Sequence, residues 1–272
     1  MSNENKIQLT EAEAALVKKL VGVENLFVIL STRTAVPFAV CDPETFDDQI
    51  LVFEKPECVH KALEQLRVDN NPIDVAVIPQ KDRLNFFANV CTMGVNCVVF
   101  DAYNETEEKI QLDRFVRTPK GMTPNGLPWV ENPSLYLTAI YFMQSVARNT
   151  KKEETPELTE MREEIVAHYS KGNFIILFNE KNQLPIMRFP NGDAYHPIFT
   201  DLFEATKFKT DQPCQIGAIP AVKIPGILAP EAKGVVVNPN TVCLQLPVIR
   251  KVVPRPQQAP TPENAPNPTE EV

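Results

Sequence analysis

The stretch DAYHPIFTDLFEATKF, Asp193 to Phe208, holds the densest group of side chains able to do chemistry. Thr200 and Asp201 set a hydroxyl beside a carboxylate where a strand-like run turns into a helix, and an open helix N-terminus can also bind anions. The same pair suits an N-cap, whose side-chain oxygen takes up orphan backbone N–H groups for about 1 kcal/mol. Capping is the expected role. His196 could serve as an acid or base, because imidazole titrates near neutrality. No nucleophile or orienting acid stands at a recognisable spacing from it, so a partly exposed strand histidine is expected. Alternation along AYHPIF places His196 with Ile198 on one face and Tyr195 with Pro197 and Phe199 on the other. Lys223, in KIPG, completes the polar set on which a ligand cleft would draw. No catalytic residue is assigned.

Metal binding needs ligands that converge, such as paired Cys or His at two-to-four spacings. Cys58 and His60 are two apart on a predicted helix and so lie on different faces, while Cys91 and Cys97 are separated by a turn at Gly94. Neither pair makes a metal site. The six cysteines are scattered through apolar runs and read as reduced, buried, small hydrophobes. His60 and His168 fall on predicted helices among Lys and Glu and read as surface residues. Phosphate-cradling glycine loops, hydrolase elbows and kinase motifs do not occur, and no cofactor is expected. Trp129, the single tryptophan, follows Pro128 in a Pro- and Gly-rich stretch. It could anchor a protein partner, although pinning the linker between two lobes is the more economical role for a large aromatic.

A net charge of −8 opposes attraction to phosphate backbones, so nucleic acid is not an expected partner. The longest apolar runs, FIILF and NCVVF, fall far short of the roughly 20 residues that span a bilayer. The polar, acid-bearing N-terminus lacks the pattern of a secretory signal, and a cytoplasmic location is expected.

The elements that must position these residues repeat. A helix over Glu11–Val21 precedes NLFVIL, AVPFAV and DDQILVF; a second helix, ending near Tyr169, precedes NFIILF, QLPIMRF and AYHPIF. EKPECVHKALEQL then answers TDLFEATKF as a helix, DVAVIP answers QIGAIP, and NCVVFDAYN answers GVVVNPN. The offset falls from about 148 residues to about 137, which changes in surface loops allow at small entropic cost. Helix starts are signalled by a capping box at Thr10–Glu13 and by Thr155 followed by Pro156. Only STRT separates the first two strands, a hairpin length, so antiparallel pairing is expected. The fold class is α+β: two similar lobes from an internal duplication, each a small mainly antiparallel sheet covered by helices. Asn132 is expected to cap a buried helix over 134–148.

HPIFTDLFEATKF, IPAVKIPGIL and GVVVNPNTVCLQLP together resemble the SseB N-terminal domain family, with its Phe-Thr-x strand end, entering helix and closing Asn-Pro strand. The match is best over Asn173–Pro247. The first half is similar but diverged: Phe53 stands where Phe199 does, Glu54 and Lys55 replace Thr200 and Asp201, and Asp101-Ala102 replaces Asn238-Pro239. The resemblance implies this fold, in tandem copies, and a bacterial origin; no catalytic residues are established for the family. The expected organisation is lobe one over 9–117, a linker over 118–133, a helix plus lobe two over 134–253, and a disordered, proline-rich acidic tail over 254–272. The expected function is a non-catalytic binding or scaffold protein that engages a protein partner through its lobe faces or inter-lobe cleft. Self-association and a small-ligand or enzymatic use of the cleft, drawing on His196, Thr200, Asp201 and Lys223, remain alternatives.

Overall fold

A computed structural model describes residues 8–117, 123, 126, 129–210 and 213–248. The expected tail over 254–272 and much of the expected linker lie outside the described residues. The chain is α+β. Its first helix, α1 (Glu11–Gly22), opens with the expected capping box: Thr10 Oγ1 accepts the Glu13 N–H at 3.2 Å, and Glu13 Oε2 accepts the Thr10 N–H at 2.7 Å.

Strands β1 (Asn25–Ser31), β2 (Ala39–Cys41) and β3 (Asp48–Phe53) follow, then α2 (Val59–Val68), β4 (Ile73–Pro79), α3 (Arg83–Thr92), β5 (Cys97–Phe100) and β6 (Glu108–Gln111). They form one sheet in the order β4-β1-β3-β5-β6, with β2 also on β3; only the β3–β5 pair is parallel. The second strand is shorter than the run AVPFAV promised. Pro37 has no N–H to continue a ladder, so the chain makes a brief pairing with β1, Phe38 N–H to Ile29 O at 2.9 Å, and then crosses to β3.

Helix α2 begins as a tight turn at Pro56–Cys58 with no side-chain cap. Helix α3 was not foreseen. Its first residue, Arg83, is fully buried, and its guanidinium ties three elements together by donating to the Leu20, Val23 and Ile78 carbonyls at the ends of α1 and β4. Burial pulls its pKa down.

Two helices precede the second set of strands: α4 (Pro133–Arg148) and α5 (Pro156–Lys171), the latter capped by Thr155 as its sequence indicates. Then come β7 (Asn173–Phe178), β8 (Met187–Arg188), β9 (Ala194–Ile198), α6 (Leu202–Lys207), β10 (Gln215–Pro220), β11 (Ala232–Val237) and β12 (Leu244–Pro247). Their pairing follows that of the first half, except that they form two sheets, β10-β7 and β12-β11-β9-β8, where one was expected, because a single bridge replaces the β1–β3 ladder. β7 pairs antiparallel with β10 as β1 does with β4; β9 runs parallel to β11 as β3 does to β5; β8 lies on β9 and β12 on β11. The bridge between Ile175 and Phe199 stands where Phe27 meets Phe53.

Helix α4 packs against both halves. Its buried Tyr136, Ala139, Ile140 and Met143 share a core with α5, β11 and β12, which Val36, Ala39 and Met93 join from the first half. Tyr141 donates to Asp48 Oδ1 at 2.6 Å. Gly94, at φ +88°, lets the end of α3 approach this helix, since a Cβ there would sit 2.6 Å from the Pro133 carbonyl oxygen. Asn132 does not cap α4 through its side chain. Its amide is spent on two carbonyls of the second half, Asn173 O at 2.6 Å and Thr200 O at 2.8 Å.

The cysteines are free, but only Cys97 is buried and Cys41 is exposed. The uniformly buried set expected is therefore not found: Cys41 ends β2, Cys58 lies in the turn that opens α2, Cys91 is on α3, and Cys214 and Cys243 stand just before β10 and β12.

Candidate functional site

β9 runs into α6 through Thr200 and Asp201, both wholly buried. Asp201 is the N-cap of α6: its Oδ1 accepts the Glu204 N–H at 3.0 Å. Thr200 Oγ1 donates to Asp201 Oδ2 at 2.7 Å and accepts from Asn238 Nδ2 at 2.8 Å, while Asn238 Oδ1 accepts the Thr200 N–H at 2.9 Å. Asn238 sits at φ +46°, a left-handed conformation that Asn tolerates better than most residues. In the first half Asp101, at φ +52°, likewise accepts the Glu54 N–H through Oδ1, at 3.4 Å. Each half thus places an Asn or Asp in this conformation just after the strand that runs parallel to its neighbour.

Glu204 extends this node. Its carboxylate accepts from Tyr136 Oη at 2.7 Å and Thr241 Oγ1 at 2.6 Å and is ion-paired with Lys207. Burial raises the Asp201 carboxyl to about 6. Burial and then the Glu204 charge push the Tyr136 phenol well up. The carboxylates, hydroxyls and amide of the node are engaged within the fold and buried, with Lys207 alone reaching solvent, so the arrangement fixes the strand-to-helix turn against α4.

His196 is buried, at 2% exposure, rather than partly exposed. Its position on β9, an inner strand flanked by β8 and β11, buries it, and main-chain groups satisfy both ring nitrogens: Nε2 accepts the Ala229 N–H at 3.0 Å, and Nδ1 meets the Pro185 carbonyl at 2.7 Å. The accepting Nε2 assigns the proton to Nδ1. The ring staples two loops at the floor of an open cavity of about 420 Å³ walled by Asn182, Leu184, Ile186, Leu228 and Glu231. Neighbouring Tyr195 is buried, edge-on to Phe189 with ring centroids 5.6 Å apart. Lys223 is exposed on the turn after β10.

Trp129 lies elsewhere. Its ring meets Phe203 of α6 edge-on at 6.5 Å, and its indole N–H donates to Glu131 Oε2 at 2.9 Å. Together they wall an open, mainly apolar groove of about 380 Å³ whose other side is formed by Val17 and Val21 of α1, Leu84 and Phe87 of α3, and Phe115. Leu84 is 74% exposed there. Of the six residues singled out from sequence, Trp129 alone lines this groove; the others are dispersed over the second half.

No family model matches the chain, and no curated protein matches it. Among solved structures, Tic22 from Plasmodium falciparum aligns over 81% of this chain and 90% of its own length, at 14% identity and a TM-score of 0.21. A TM-score that low carries no structural argument.

Val17, Leu84, Phe115 and Phe203 were not foreseen as groove residues. Leu84 stands between Arg83 and Asn85, which gives it no apolar neighbour to mark it, and Phe115 lies outside the helices. Glu204, Thr241 and Tyr136, the remainder of the buried node, leave no sequence signal, because their partners are far apart along the chain.

Proposed function

We propose that this chain is a non-catalytic binding protein that receives an apolar segment of a protein partner in the groove between its halves. The observation that carries the reading is the groove itself: Leu84, Trp129 and Phe203 are held open to solvent between helices of the two halves. Apolar clefts at such junctions are preferred binding places, and large aromatics anchor partners there. A helix laid between two others is one recurring way to fill such a cleft. Dispersal of His196, Thr200, Asp201 and Lys223 favours this reading over a reaction centre shared between the halves. We further infer an SseB-like architecture in tandem copies, the first diverged, in a bacterial cytoplasmic protein. The recurrence of strand pairing in the two halves supports the duplication. Among the described residues no helix is long and apolar enough to cross a membrane.

Trp129 reports on its own groove as the single tryptophan. Titration with a synthetic amphipathic helical peptide bearing a Leu and Phe face should shift its emission saturably, and Leu84→Glu should abolish the shift without altering circular dichroism. Unchanged emission up to millimolar peptide, or a shift that survives Leu84→Glu, would sink the proposal.

A further inference from the structure

Among the described residues, β10 is an edge strand paired on one side alone. Ala221 N–H bonds to Gly172 O at 2.9 Å, and Ile175 bonds to Phe199 on the far side of β7. Antiparallel alternation then directs the main-chain groups of Gln215, Gly217 and Ile219 to β7, and those of Ile216 and Ala218 away from it. Among the described residues no strand pairs with that side.

Its counterpart β4 is also an edge, but a guarded one. There Val75 and Val77 point outward, and Asp74 covers the edge by accepting the Val75 N–H through its own Oδ1 at 2.8 Å. Charged side chains on an edge are a standard protection against strand addition. β10 carries Gln215 where β4 has Asp74, and its sequence QIGAIP contains no charge. Ala218 is exposed, and Val222, just past the strand, is 80% exposed. The ring of Phe178 packs over Gly217, which leaves the strand flat and small there.

We propose that β10 is a self-association edge, pairing antiparallel with β10 of a second copy of this chain about a two-fold axis at Gly217. In that register Ile216 of each copy exchanges its outward main-chain bonds with Ala218 of the other, and Gly217 faces Gly217. Gln215 opposes Ile219, so no charge meets a like charge. The two-stranded β7–β10 sheet becomes four-stranded, and small sheets gain most from added strands. An isologous contact of this kind closes on itself and stops at the dimer. The surface is distinct from the groove beside Trp129, and the two proposals stand or fall separately.

Sedimentation of the full chain over a range of concentrations tests it. The wild type should sediment as a dimer that dissociates on dilution. Ala218→Pro removes an N–H that has no partner among the described residues, a position at which edge strands accept proline, and Ala218→Lys supplies the missing guard. Each should weaken the dimer by about tenfold or more while leaving the circular dichroism unchanged. Leu84→Glu should leave it intact. A wild type that stays monomeric at the highest concentration overturns the proposal. A dimer that survives both Ala218 substitutions, or one that Leu84→Glu dissolves, overturns it equally.

Discussion

The side-chain amide of Gln144 pairs with both main-chain groups of Ala39: Oε1 accepts the Ala39 N–H and Nε2 donates to the Ala39 carbonyl, each at 3.0 Å. Ala39 lies opposite Ile50 of β3, and both its main-chain groups turn away from that strand toward Gln144. The glutamine of α4 therefore stands in for a missing strand, and it does so in a buried setting where no water replaces it. With Tyr141 on Asp48, it makes α4 the element that holds the first half to the second.

Gln144→Leu keeps the volume but orphans both Ala39 groups. Leaving buried donors and acceptors unpaired costs roughly 1 to 3 kcal/mol each. Urea unfolding should show a loss of about 2 to 4 kcal/mol, and the Ala39 amide should exchange with solvent much faster. A stable variant with a protected Ala39 amide would show that the pairing contributes nothing.

Tyr136→Phe removes one oxygen and leaves the Glu204 carboxylate short of a donor in a buried place. About 1 to 3 kcal/mol should be lost. Because Thr241 also donates to Glu204, the double variant Tyr136→Phe with Thr241→Val should deviate from additivity. Strict additivity in a double-mutant cycle would mean that the two donors act independently.

Asp201 has a carboxyl raised to about 6 by burial, against an ordinary value of 3.8. The folded state binds its proton more tightly than the unfolded chain does, so its contribution to stability is full below about pH 4 and falls as pH rises to about 6. Asp201→Asn retains a good N-cap residue and loses the titration. The melting temperature of Asp201→Asn relative to wild type should rise between pH 4 and pH 7. A constant difference across that range would refute the assignment.

Gly94→Ala places a methyl 2.6 Å from the Pro133 carbonyl oxygen at a backbone φ of +88°. The left-handed conformation alone costs a non-glycine residue about 1 to 2 kcal/mol, and the clash pushes α3 away from α4. A melting temperature several degrees lower is expected for a domain of this size. An unchanged melting temperature would mean that the turn relaxes freely.

Local signals were legible where a residue acts on its near neighbours. The capping box at Thr10 and Glu13, the Thr155–Pro156 start of α5 and the Asp201 cap of α6 all stand where the spacing indicated. Helix α3 escaped notice for the converse reason: Asp82 makes no capping bond, and a charged residue, Arg83, occupies a buried position that periodicity assigns to an apolar one. Asn132 looked like a cap by type, but carbonyls at Asn173 and Thr200 compete for its amide, and they are distant in sequence. For the groove, Trp129 was legible because a lone tryptophan beside prolines stands out, whereas Leu84 and Phe203 were not.

By itself the sequence determined the α+β class, most of the runs that become strands though not β6 or β12, several helix starts and the recurring order of elements, since propensity, capping and alternation work within a few residues. Only the tertiary structure decided that β3 meets β5 and β9 meets β11 in parallel, that His196 is buried with both nitrogens engaged, and that Trp129, Leu84 and Phe203 face one groove. Gln144 and Ala39 are 105 residues apart. A side-chain amide carries no mark of which backbone it will meet, because that choice follows from how packed helices and sheets close on one another.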